Sequence, residues 1–96
     1  MQTKRTIKSR PFSPGQIYTT PGALEALDGS DVADALIRHL RCDWGDCCDT
    51  DWAENEFSLE KYLRLFSVYH DRNGTKFWII TEADRSATTI LLPAEY

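Results

Sequence analysis

The chain changes its hydrophobic period about two thirds of the way along. Before Tyr62, apolar residues recur at three- and four-residue spacing, and after it they come in dense β-branched and aromatic runs. Val32, Ala35, Leu36, Ile37 and Leu40 form a stripe that predicts a helix, capped by Ser30 or Asp31. Arg38, His39 and Arg41 put basic groups near its C-terminal end, where the helix dipole favours cations. Ahead of it, "TPGALEAL" places Thr20 as N-cap and Pro21 at the first helical position, where a missing N–H costs nothing. Asp28-Gly29 reads as the stop of that short helix. A third helix is expected from about Asp51 to Lys61, capped by Asp49 or Thr50, with Trp52, Glu56, Leu59 and Leu63 on one side. Ala53 and Phe57 widen its apolar strip.

"YLRLFSVYH", "TKFWIITEA" and "ATTILLP" predict three strands. Between the first two, Asn73-Gly74 is a strong hairpin signal, because both residues tolerate the positive φ of a type I′ turn. A two-residue turn there pairs Arg72 with Thr75, Tyr69 with Trp78 and Phe66 with Thr81. "ADRS" makes the next turn, held by side-chain hydrogen bonds of Asp84 with Arg85 pairing Glu82. "QIYTT" at 16–20 adds a short strand. The expected fold is α+β, with two or three short helices packed on a three- to four-stranded antiparallel β-meander. Residues 1–15 read as a basic tail closed by Pro11 and Pro14-Gly15, and 16–96 as a single domain.

In that register one sheet face carries Phe66, Val68, Phe77 and Ile79, and the other Leu65, Tyr69, Trp78 and Ile80. Both are apolar, and three short helices cover one face more readily than two. The less covered face, with Tyr69 and Trp78, is therefore expected to meet a partner or a second copy of the chain. The alternative is that the helices divide between the two faces.

Charge sharpens this picture. The net charge is −4, yet Lys4, Arg5, Lys8 and Arg10 make the first fourteen residues basic. From Asp43 to Glu60 there are seven acids and no base. Such a body repels nucleic acid, which leaves the basic tail as the segment able to meet phosphates, and it attracts basic surfaces. No apolar run is long enough to span a membrane and no secretory core follows the basic N-terminus, so the cytoplasm is the expected compartment. Three cysteines, two of them adjacent, fit reduced thiols better than a disulfide framework.

The dense stretch "CDWGDCCDTDWAENE" at 42–56 invites a metal reading. Cys42, Cys47, Cys48, His39 and His70 lack the paired spacing of a structural zinc site, and the aspartates lack the glycine and closing glutamate of a calcium loop. No metal or cofactor is expected. The segment reads instead as an acidic connector anchored in the core by Trp44 and Trp52.

"DWGD" at 43–46, Asn55, "SVY" at 67–69 and "KFWIITEADRSATTILLPAEY" at 76–96 resemble a family of small prokaryotic proteins found near mobile elements. Its members are labelled "plasmid-related protein" or "type I restriction endonuclease subunit M". The resemblance covers roughly residues 17–96. The methyltransferase label finds no support here: no glycine-rich loop for a methyl donor and no Asn/Asp-Pro-Pro-aromatic motif is present, and 96 residues fall short of that fold. The family has a glycine before "DWG" where this chain has Cys42, so the resemblance implies no required thiol there.

These readings converge on non-catalytic protein binding. The expected contact residues are Tyr69 and Trp78, with Asp43, Asp46, Asp49 and Glu54 as an acidic rim. The mobile-element setting implied by the resemblance suggests an anti-restriction or anti-CRISPR role, with the acids imitating DNA phosphates in the basic groove of a nuclease. The alternative is a small ribonuclease or toxin-like RNA-cleaving domain using Glu82 and Arg85 with His70. In the expected register, however, His70 lies about 20 Å from the other two at strand rise.

Overall fold

A computed structural model of the chain describes residues 12–96. Strand β1 (Gln16–Thr19) leads into helices α1 (Pro21–Ala26), α2 (Gly29–Leu40) and α3 (Asp49–Lys61). Strands β2 (Leu65–His70), β3 (Lys76–Thr81) and β4 (Ala87–Leu91) follow, and a 3-10 turn (Pro93–Glu95) comes last. The class is α+β, as the periodicity predicts. The sheet order is β1-β4-β3-β2. β2, β3 and β4 form the antiparallel meander, and β1 joins β4 in parallel, so the sheet is mixed. A parallel neighbour needs a long crossover, and here the three helices and two strands between β1 and β4 provide it.

Local capping explains the helix boundaries. Thr20 caps α1 by accepting from the Ala23 amide at 3.3 Å. Asp28, read from sequence as part of a stop, instead begins α2, accepting from the Asp31 amide at 3.0 Å. α3 starts two residues earlier than expected, so Asp49 and Asp51 stand in its first turn, where the dipole favours acids. The expected tail boundary falls differently too. Most of the tail lies outside the described residues, but Phe12 stacks on Trp44 and the Pro14 carbonyl accepts a hydrogen bond from Thr88.

The β2–β3 hairpin departs from the expected register by one residue. The observed pairs are Tyr69 with Phe77 and Leu65 with Thr81. The cause is Asp71. Its Oδ1 accepts from the amides of Asn73 (2.9 Å) and Thr75 (3.0 Å), and its Oδ2 accepts from the amide of Asp28 (3.1 Å). The Gly74 amide closes on the Asp71 carbonyl, and the Asp71 amide donates to the Thr75 carbonyl. Only Gly74, not Asn73, takes positive φ. The connection is thus a three-residue loop with a left-handed glycine, not a two-residue type I′ turn. The three amides hold the Asp71 carboxyl below the usual carboxylate range, that of Thr75 most of all.

A one-residue slip reassigns faces. Leu65, Ser67, Tyr69, Phe77, Ile79, Thr81, Thr88 and Ile90 now share one side, and all are buried. α1 and α2 cover it through Ala23, Leu27 and Ala35, with Val32 and Leu36 alongside. Tyr69, expected on an exposed patch, is 1% exposed and hence part of the core. Trp78 lies on the opposite side with Phe66, Val68, Ile80 and Leu91. That side is covered in part. A second cluster of Cys42, Trp44, Cys47, Trp52, Leu65 and Val68 straddles β2, and Leu59, Phe66 and Trp78 pack against it. Tyr96 sets its ring edge-on to Trp78 and accepts a hydrogen bond from Arg64 at 2.8 Å. The helices therefore divide between the two faces, and Trp78 is partly buried within one protomer.

If Asp71 rather than Asn73-Gly74 sets the register, Asp71→Ala lowers the urea midpoint at least about threefold more than Asn73→Ala does. Equal shifts for the two variants would return the turn to its asparagine.

Candidate functional site

The connector between α2 and α3 seals the outer edge of β2. The Trp44 carbonyl accepts from the Val68 amide at 3.2 Å, and the Asp46 amide donates to the Val68 carbonyl at 2.7 Å. Gly45 lies between them at φ +75°, so close that a β-carbon there would overlap the Val68 carbonyl and the Tyr69 ring. Two residues along, the Asn55 side chain from α3 occupies both backbone groups of Phe66, accepting from its N–H at 2.9 Å and donating to its C=O. An open strand edge is a template for stray pairing, and here it is closed by a tripeptide and one amide side chain. Cys42 holds φ +66°, the left-handed region glycine favours.

This arrangement accounts for two of the expected contact acids. Asp43 takes a two-point ion pair from Arg38 and also accepts from the Gly45 amide. Its backbone carbonyl accepts from the Tyr69 hydroxyl at 2.6 Å, and burial pushes that phenol up in pKa. Asp46 pairs with His70 Nδ1 at 2.8 Å. Trp44 is fully buried and donates its indole N–H to Glu56, and Trp52 is buried, so both are the core anchors expected. A cleft of about 240 Å³ between α2 and the hairpin carries Asp31, Arg38, His70 and Arg72 on its walls. Its arginines are engaged: Arg72 makes a two-point pair with Asp31 and reaches Asp28, and Arg38 lies over the Tyr69 ring. These contacts hold the Asp31 carboxyl below its ordinary range, the Arg72 side-chain hydrogen bond first among them.

A buried polar chain lies under α2. His39 Nδ1 is 2.6 Å from Ser67 Oγ, and Nε2 is 2.9 Å from Thr81 Oγ1. Thr81 Oγ1 is 2.7 Å from Thr88 Oγ1, which donates to the Pro14 carbonyl at 2.8 Å. The carbonyl can only accept, and each hydroxyl has one proton. The Thr88 proton therefore goes to Pro14, the Thr81 proton to Thr88, and the N–H on His39 must be at Nε2. Nδ1 then accepts from Ser67. His39 is neutral, and burial, helped by the positive charge of Arg85, lowers its pKa to about 3. Sequence reasoning placed His39 as a cation at the helix end. Its position four residues after Ala35, in line with Val32 and Leu36, is the signal that puts it on the core face instead. Although Ser67 and His39 touch, both are fully buried and the contact serves packing.

At the β3–β4 turn, Asp84 accepts from the Ser86 amide as expected. Arg85 does not pair with the Glu82 carboxylate. Its guanidinium donates to the carbonyls of Ser58, Leu63, Glu82 and Ala83 and lies over Tyr62. Glu82 pairs instead with Arg64 at 3.2 Å. The turn thus ties the end of α3 to the sheet, and its arginine donors are committed to backbone.

The remaining expected contact acids, Asp49 and Glu54, come together on the outer face of α3. With Thr50, Ala53 and Phe57 they line a shallow depression. Asp51 and Glu60 are also exposed on this helix, and Phe57 is 56% exposed. This is the candidate functional surface. The apolar strip expected to bury Phe57 fails because α3 meets the sheet at its edge strand β2, with Trp52, Asn55 and, in part, Leu59 facing inward.

Among the described residues no three His, Cys, Asp or Glu side chains come together as a metal site, and no helix is long and apolar enough to cross a membrane. Cys42 and Cys47 are buried, Cys48 is exposed, and none forms a disulfide. No protein-family model, curated protein or solved structure matches the chain.

Asn55→Ala, which strips the Phe66 N–H of its partner and leaves the Phe66 carbonyl only the Cys47 thiol, is expected to cost about 1–3 kcal/mol in urea denaturation. A second measurement tests the neutral imidazole. The unfolded chain takes up a proton on His39 near pH 6.5, and the fold refuses it until about 3. Its contribution is complete above pH 6.5 and is lost as pH falls toward 3. Stability between pH 6 and 5 should therefore drop by about 1.4 kcal/mol per pH unit, a slope absent in His39→Leu.

Proposed function

We propose that this chain is a non-catalytic protein-binding module whose contact surface is the outer face of α3. The observation that carries the reading is Phe57, a large apolar ring standing 56% exposed beside Asp49 and Glu54, with Asp51 and Glu60 exposed elsewhere on the same helix. An exposed aromatic within a charged rim is the composition of a contact hot spot: the ring supplies buried area and the acids supply steering. The complementary surface is a basic groove with an apolar socket. The groove of a nucleic-acid-cleaving enzyme has that charge. The resemblance of the 76–96 block to a mobile-element family directs attention to a restriction or CRISPR nuclease. Asp43 and Asp46 belong to the fold's own ion pairs in this reading, so α3 rather than the whole acidic stretch meets the partner. The ribonuclease reading draws no support from the Glu82 end, where the Arg85 donors are taken up by carbonyls.

The test is a titration of the chain against purified restriction and CRISPR nucleases of its host. Binding to one of them should weaken steeply with salt and compete with DNA. Phe57→Ala should weaken it by about 10–100-fold, and Glu54→Gln should flatten the salt dependence. Wild-type affinity in both variants would remove α3 as the contact surface.

A further inference from the structure

The two edges of the sheet are treated differently. At the β2 edge, Trp44, Asp46 and Asn55 occupy the outward backbone groups. At the other edge β1 has no such cover among the described residues. The Gln16 amide donates to the Ser86 carbonyl and the Thr20 amide to the Ile90 carbonyl. In a parallel ladder alternate residues bond the neighbouring strand, so Gln16 and Tyr18 face β4, and the N–H and C=O of Ile17 and Thr19 face outward. Gln16, Ile17 and Tyr18 are exposed, with Tyr18 at 56% and Ile17 at 46%. None of the usual blocks is present within the strand: no proline, no lysine, no other charge.

We propose that β1 pairs with β1 of a second copy, antiparallel, about a two-fold axis at Tyr18. The register follows from which groups are open. Centred on Tyr18, an antiparallel pair sets Ile17 opposite Thr19 of the second copy and Thr19 opposite its Ile17. Both are hydrogen-bonded pairs, so all four open N–H and C=O groups of each copy are used at once. Tyr18 meets its own counterpart at the narrow, non-hydrogen-bonded position, where opposing aromatic side chains pack. Any shift of register leaves open groups without partners. Charge selects the same occupant. The chain is acidic, yet residues 12–22 hold no charged side chain, so this strip lets two like-charged copies approach. A short basic peptide would be drawn to the acids of α3 instead. The resulting sheet has eight strands and leaves both α3 faces open, because α3 packs at the β2 edge, at the far end of the sheet order.

The experiment is sedimentation of the full chain over a concentration series. Wild type should move from monomer to dimer in roughly the 10–500 μM range expected of a small interface. Tyr18→Lys and Tyr18→Glu each put like charges face to face on the axis, and each should shift the midpoint at least about tenfold upward. Because Tyr18 is exposed, both variants should melt as wild type does. An equimolar mixture of the two should regain the dimer, since lysine then faces glutamate. A wild type that stays monomeric through 1 mM would overturn the proposal. So would dimers indifferent to either substitution, or a mixture that fails to recover.

Discussion

The carboxylate of Asp71 is turned back onto the loop that it begins, where the amides of Asn73 and Thr75 close on one oxygen and the amide of Asp28 on the other. Two consequences flow from this contact. The loop holds three residues rather than two, which sets β2 against β3 one step away from the Asn-Gly expectation. The joint between α1 and α2 is fastened to the hairpin, so the helices lie over the face that the register has just defined. Because side chains alternate along a strand, one step decides whether Tyr69 shares its face with Trp78 or with Phe77. Tyr69 does, with Phe77 and Ile79 beside it and its hydroxyl on the Asp43 carbonyl.

Much of the densely acidic and aromatic stretch is then used to finish the sheet. Trp44, Gly45 and Asp46 lie along β2 as a single bridge, and Asn55 fills the next position. Asp43 pairs with Arg38 and Asp46 hydrogen-bonds His70 next to it. What looks from the sequence like one continuous acidic surface is divided by the fold: Asp43 and Asp46 are engaged with Arg38 and His70 beside β2, and the later part, on α3, faces outward with Phe57.

The two proposed surfaces lie at opposite ends of the sheet order. One is a helix face at the sealed edge, the other a bare strand at the open edge. A dimer built through β1 displays two α3 faces, and a partner with repeated basic sites would then bind with the added strength of a second, intramolecular contact.

The sequence by itself determined the elements. Helical spacing at 32–40, Thr20 and Pro21 at the head of α1, the β-branched runs and the Asp84 turn are local signals, and local hydrogen bonds and propensities decide them. It also placed Trp44 and Trp52 in the core and left Asp49 and Glu54 in solvent, since a large indole seeks burial and a helix-borne acid seeks water. Tertiary structure alone decided the rest. Asp71 sets the hairpin loop through the nearby amides of Asn73 and Thr75, but that the same carboxylate also ties the loop to an amide 43 residues away, at Asp28, is a tertiary fact. Whether His39 is a surface cation or a buried neutral ring depends on Ser67, Thr81 and Thr88 arriving from three different strands. Whether Phe57 is core or surface depends on where α3 crosses the sheet. For the neutrality of His39 and the exposure of Phe57 the deciding partners are remote in sequence, although the spacing of Val32, Ala35, Leu36 and His39 already records which way the imidazole faces.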